Sequence, residues 1–265
     1  MIKIGLIGYG KAGQAVAKVI QEDPRYQLCW IARRSSGTTE TDLPTVQLDP
    51  ATFPDWLDRH PVDGIIDFSD ATTIHLYGEA VRSRGIMVVT AISGYPETTM
   101  DYIRDLGRDI RILSSPNITL GINFLLLSAK ILRRIAPFAD VEIVEQHFRD
   151  KPEVSGTARR IAEVLDVNNE HITSLRLGGI VGRHEVIFGF PYQTVRLIHD
   201  SIRREAFGTG AAFAMEQLAQ CDTGFYTLDS LLLRVIRDEL QREEALNLAR
   251  AASRDSSAHV DQVPA

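Results

Sequence analysis

Residues 141–158, VEIVEQHFRDKPEVSGTA, bring together three groups that could act on one small anion. His147 can give or take a proton near neutral pH, and Lys151 supplies a cation. Ser155-Gly156-Thr157 opens a helically patterned segment, ARRIAEVL, whose first amides can hold negative charge. Val141, Ile143 and Phe148 interleave with polar residues as in a half-buried strand. Pro152 cannot continue a helix, because it lacks an N–H and clashes with the preceding turn. The stretch therefore predicts a strand that ends near His147, a loop with Lys151, and a helix N-terminus close to both. Each part alone has a plainer reading: a surface histidine, a solvated lysine, an ordinary Ser/Thr cap.

The element that would hold a cofactor stands at the other end of the chain. Ile2, Ile4, Leu6 and Ile7 form the apolar run of a buried parallel strand. Gly8-Tyr9-Gly10-Lys11-Ala12-Gly13 follows at once, and Ala15, Val16, Val19 and Ile20 then keep helical spacing. G-x-G-x-x-G between a strand and a helix is the dinucleotide fingerprint, in which glycines let a pyrophosphate approach a helix N-terminus. The next strand, Tyr26 to Ile31, leads to Ala32-Arg33-Arg34, where an NAD site would carry a carboxylate for the ribose 2′-hydroxyl. Two guanidiniums stand there instead, and they suit a 2′-phosphate. NADPH is the expected cofactor, with NADH possible.

Further strands are expected at Val62–Phe68, Ile86–Thr90 and Ile110–Ser114, each ending in a polar run. In such sheets ligands gather beyond the carboxyl ends of the strands. After Val141 the pattern changes: Leu175–Phe188 and Thr194–Ile198 read as strands that follow strands, which indicates a separate, mostly antiparallel domain. His184 on one strand and His199 at the end of the other read as structural. The fold class is α/β, a Rossmann-type doubly wound parallel sheet with an inserted α+β domain.

Composition narrows the partners. A chain of 265 residues with 44% hydrophobic and 24% charged residues can bury a core. A net charge of −6 argues against nucleic acid or an acidic membrane as the main partner. The apolar start is too short and Gly-rich for a signal peptide or membrane span. Cys29 and Cys221 fit neither a disulfide framework nor a zinc site, which suits a reducing cytoplasm.

Together these pieces resemble the dihydrodipicolinate reductase family, whose signature is close to E-x-H-H-x-x-K-x-D-A-P-S-G-T. Glu145, His147, Lys151, Ser155, Gly156 and Thr157 match it, as do Asp67-Phe68-Ser69, Ser93-Gly94, Asn117, Gly121-Ile122-Asn123, Ile180-Val181-Gly182, His184-Glu185, Arg204, Phe207 and Gly210. The resemblance implies a dinucleotide domain from 1–117 and 223–265, and a substrate-binding, tetramer-forming domain from 118–222. It implies hydride addition to a cyclic unsaturated imine dicarboxylate, with His147 and Lys151 in proton transfer. Ser155, Gly156 and Thr157 would hold a substrate carboxylate. Ala91-Ile92-Ser93 and Ser115-Pro116-Asn117 would lie against the nicotinamide. Phe148 replaces a second, substrate-binding histidine of the family, and one residue is missing between Lys151 and Ser155. A paralogue that reduces another cyclic imine or enamine, and a non-catalytic nucleotide sensor, are the competing expectations.

Overall fold

The computed structural model describes residues 1–34 and 41–258, with side chains to residue 247. The chain divides into two units, Met1–Leu228 and Asp229–Ala265. Most of the second is the long helix α8 (Leu228–Ala258). The first unit holds two sheets.

The larger sheet has seven strands, all parallel. They are β1 (Ile2–Ile7), β2 (Tyr26–Arg33), β3 (Thr45–Gln47), β4 (Gly64–Asp67), β5 (Met87–Thr90), β6 (Arg111–Ser114) and β11 (Gly224–Tyr226), in the order β11-β6-β5-β4-β1-β2-β3. The chain starts in the middle and winds first to one edge and then to the other, so the crevice falls between β1 and β4. Helices α1 (Lys11–Glu22), α2 (Phe53–Arg59), α3 (Ile74–Arg82) and α4 (Glu97–Leu106) connect the strands. The strand interiors are buried on both faces, as the apolar runs require: β4 and β5 have no exposed residue. Trp30, Phe53, Tyr77 and Ile65 pack in one continuous core.

The smaller sheet has the order β10-β9-β7-β8, from β7 (Asp140–His147), β8 (Ile172–Arg176), β9 (Gly182–Phe190) and β10 (Gln193–Ser201). β7, β9 and β10 pair antiparallel, whereas β8 lies parallel to β7. Helix α6 (Gly156–Leu165) makes the crossover that a parallel neighbour demands. One face of this sheet packs on α5 (Leu120–Ile135) and α6 through Ile143, Val186, Phe188, Ile161 and Leu125.

Several elements differ from their expected bounds. Leu175–Phe188 is two strands: β8 stops at Arg176, and Gly178, at φ +47°, turns the chain before β9. Phe148 lies beyond the end of β7. The short elements β3, α2 and β11 carry too few residues for a period to show. Helix α7 (Glu205–Ala219) packs against α1, β5 and β6 of the large sheet.

The fingerprint turn is built as its glycines require. Gly8 has φ +87°, and a Cβ there would stand 2.7 Å from the Phe68 carbonyl. A Cβ on Gly13 would meet the Gly8 carbonyl oxygen at 2.1 Å, whereas Gly10 has nothing within 4 Å. We therefore expect Gly13→Ala to lower the unfolding free energy by about 1–3 kcal/mol, the range for overpacking. Gly10→Ala should stay within about 0.5 kcal/mol. Urea midpoints measure both, and a Gly13→Ala midpoint equal to that of the unaltered chain would contradict this packing.

Candidate active site

Glu145 is the anchor. It points inward from β7, has no exposed surface, and its charge is met from all sides. Arg176, at the end of the neighbouring β8, donates to both carboxylate oxygens at 2.8 and 3.0 Å. The Ser174 hydroxyl donates at 2.7 Å and the Ser155 amide at 3.2 Å. Burial pushes this carboxyl up, but the donors of Arg176, Ser174, His147 and Ser155 reverse the effect and hold it at about 2. Arg176 also donates to the carbonyls of Lys151 and Glu153, at 3.0 and 2.8 Å. One guanidinium thereby ties the strand to the loop that Pro152 keeps out of a helix.

Two residues along β7, on the same face, Nδ1 of His147 lies 2.5 Å from Glu145 Oε2. An ionised carboxylate only accepts, so Nδ1 carries the proton of this contact. Nε2 is left to the other side of the ring, near Gly182, where a Cβ would stand 3.1 Å from it. His147 lines a cavity of about 420 Å³ between the two sheets. From the large sheet come Ala12, Ala91, Ser93, Pro116 and Asn117; from the small one come Thr157, Gly182 and His184. Ser201, Arg203, Arg204 and Phe207 close it. Among the described residues that line it there is no carboxylate.

The remaining expected residues divide by position. Gly8, Tyr9, Gly10, Arg33 and Arg34 line a neighbouring cleft of about 620 Å³ over the fingerprint turn, and Lys11 and Gly13 begin α1 behind it. Ile92 is buried at 8% exposure and Ser115 at 3%, so they support that wall of the cavity without lining it. The Ser115 hydroxyl donates to the Asn117 carbonyl at 2.7 Å, and Asn117 Oδ1 accepts from the Thr119 hydroxyl at 2.7 Å. This lattice sets the corner that leads into α5. Gly156 is open, with nothing within 4 Å of a Cβ, at the start of α6. Ser155 is turned inward: its hydroxyl is 2.8 Å from His184 Nε2 and its amide serves Glu145. Phe148 is 44% exposed, and neither it nor Lys151 is among the cavity-lining residues.

His184, expected to be structural, belongs to the site. Its ring meets that of His147 edge-on at 5.3 Å, and its buried Nδ1 has no partner among the described residues. Burial, then the charges of His147, His199 and Lys151 outweighing Glu145, push its pKa down to about 4. It stays neutral beside His147 at neutral pH. Arg176 had no local signal at all, since it acts across 31 residues of sequence. Arg203 could have been noticed from its place beside Arg204 before the α7 helix.

The glycine cradle fits a dinucleotide: two Cβ positions are forbidden by close backbone, and the third is open to a phosphate. Arg33 and Arg34, the residues expected to meet a 2′-phosphate, share that cleft.

Comparison with known proteins gives one consistent outcome. Residues 2–118 match the family model described as dihydrodipicolinate reductase, N-terminus, and residues 119–232 the one described as dihydrodipicolinate reductase, C-terminus. The 4-hydroxy-tetrahydrodipicolinate reductase of Caldanaerobacter subterraneus subsp. tengcongensis is 30% identical over 246 residues, which cover 84% of this chain and 94% of that one. The Archaeoglobus fulgidus protein of the same name is 28% identical over 202 residues, 67% and 79% of the two chains. Among solved structures, dipicolinate-bound dihydrodipicolinate reductase from Paenisporosarcina sp. superposes with a TM-score of 0.75 at 19% identity, over 86% of this chain and 97% of that one. That likeness establishes the same fold.

The Glu145 network has a pH signature. Its carboxyl sits at about 2 in the folded chain against an ordinary 4.5, so its contribution is present above about pH 4.5 and is lost as pH falls through 2. Glu145→Gln leaves Arg176 without its counter-charge and is expected to cost about 3 kcal/mol at pH 7. The difference in unfolding free energy between the unaltered chain and the variant should shrink between pH 5 and about 2. A difference that stays constant over that range in denaturant titrations would contradict the buried ion pair.

Proposed function

Because the chain belongs to the dihydrodipicolinate reductase family, we propose that it reduces 4-hydroxy-tetrahydrodipicolinate to tetrahydrodipicolinate in lysine and diaminopimelate biosynthesis. NADPH is the preferred donor and NADH a second one. In this reading residues 1–117 hold the dinucleotide and 118–222 the substrate, in a cytoplasmic tetramer. Exposed Leu175, Leu177 and Ile198 on the small-sheet strands and their turn support association through that sheet.

The observation that carries the proposal is the cavity itself. In a chain of net charge −6, it is lined by His147, Arg203 and Arg204 and by no carboxylate among the described residues. Such a pocket favours a dianion and rejects cations. Thr157, at the first turn of α6, offers a hydroxyl and helix-terminal amides to one carboxylate. The two arginines offer a second anchor point. Arg149 and Lys151, cations of the loop after β7, are not among the lining residues.

When bound, the reduced dinucleotide supplies the hydride. The rest of the chemistry falls to the chain. Loss of the 4-hydroxyl as water gives a conjugated imine, and hydride addition to it leaves an electron-rich enamine that must take up a proton. His147 suits this role: Glu145 accepts a hydrogen bond from its Nδ1–H, so Nε2 is the atom that exchanges a proton with the cavity. Lys151 lies close enough for its charge to act on His184, and it adds positive potential near the developing charge. Neutral His184 adds no charge beside His147. Ala91, Ser93, Pro116 and Asn117 bring the nucleotide side to the opposite wall.

We expect His147→Gln and Lys151→Ala each to lower kcat by about 100-fold or more, the range for a general acid–base group. Kd for NADPH, followed by nicotinamide fluorescence, should stay within about twofold, because neither side chain lies in the fingerprint cleft. Near-normal turnover of the family substrate by both variants would refute the assignment. No NADPH oxidation with that substrate by the unaltered protein would point to a different imine.

A further inference from the structure

The cleft over the fingerprint turn contains both signs of charge. Arg33 and Arg34 line it from the end of β2, and Asp70 from the turn after β4. β2 and β4 flank β1 on its two sides, so these residues face each other across the Gly8–Gly10 turn. The Arg34 guanidinium donates to one carboxylate oxygen of Asp70 and, at 3.0 Å, to the Thr72 hydroxyl. The other oxygen of Asp70 accepts from the Thr72 amide at 2.9 Å and from its hydroxyl at 2.7 Å. Asp70 is thereby oriented from both sides. Its pKa is held at about 2, the donors of Thr72 and Arg34 outweighing partial burial, so it is fully charged at neutral pH.

A carboxylate in this position acts on the two cofactors in opposite ways. A 2′-phosphate that draws on Arg34 must share that guanidinium with Asp70 and sit beside a like charge. A ribose 2′-hydroxyl meets no repulsion and can donate to the same carboxylate. We propose that Asp70 is a cofactor-selectivity residue, which engages Arg34 and offers an acceptor to the ribose hydroxyls, so that the chain accepts NADH as well as NADPH. This rests on the cleft being the dinucleotide site. Arg34 then contributes to NADPH binding only in part in the unaltered protein, and in full once Asp70 is neutral.

Asp70→Asn is the direct test, because the amide oxygen still accepts from the Thr72 amide and the turn is retained. Dissociation constants for NADPH and NADH are measured by nicotinamide fluorescence on the full chain, without substrate. The ratio of Kd for NADH to Kd for NADPH should rise by about tenfold or more in Asp70→Asn, as one charge-assisted contact is lost to NADH and one freed for NADPH. Arg34→Ala should weaken NADPH binding less than about threefold in the unaltered chain, and more than about tenfold in the Asp70→Asn background. A ratio that moves less than threefold, or an equal cost of Arg34→Ala in both backgrounds, overturns the proposal while leaving the dinucleotide site intact. Failure of both nucleotides to bind the unaltered chain overturns the site and the proposal together.

Discussion

A carboxylate with no exposed surface must find its whole hydration shell inside the protein. Glu145 does so through Arg176, Ser174, the Ser155 amide and His147, and these donors come from three parts of the chain. Arg176 and Ser174 come from β8, so β8 must lie beside β7 in register. The Ser155 amide fixes where α6 begins. Arg176 holds the carbonyls of Lys151 and Glu153, which sets the loop between strand and helix. Loss of any one donor leaves buried charge exposed to an apolar surround, so these elements stand or fall together. The same contact decides which nitrogen of His147 faces the cavity.

The two sheets divide the electrostatic work. Around the cavity the small sheet and the α7 approach place positive groups, with Glu145 kept behind His147 and neutralised by Arg176. A negative ligand meets the arginines and a helix N-terminus, while the buried carboxylate acts only through the imidazole. On the large sheet, Asp67 at the end of β4 accepts from the Ser69 amide at 2.8 Å and the Tyr77 hydroxyl at 2.7 Å, although burial pushes its carboxyl up to about 6. That holds the turn from Phe68 to Asp70 against Gly8, and so shapes the floor of the cleft over the fingerprint turn.

What could be read from the sequence was what local sequence governs. The β1–turn–α1 unit, the strand that ends at His147 and the helix that starts after Ser155 follow from periodicity, glycine and proline placement, and they lie where expected. Residues paired across distance were not legible. Nothing near Arg176 shows that it meets Glu145, and nothing near Arg34 shows that Asp70 engages it. His184 read as structural because a histidine on an alternating strand usually is. Only the register that places it opposite Glu145 on β7 reveals its neighbours. Leu175–Phe188 read as one strand because apolar residues continue through the turn at Gly178, where the left-handed backbone, not hydrophobicity, breaks the run.

The central claim is that Glu145 selects the tautomer of His147, and ¹⁵N NMR of the imidazole nitrogens measures that directly. In the unaltered protein above neutral pH, the His147 ring should show a protonated Nδ1 and a bare Nε2, whereas Glu145→Gln should give a mixture or the reverse. A His147 ring protonated at Nε2 in the unaltered chain would contradict the account.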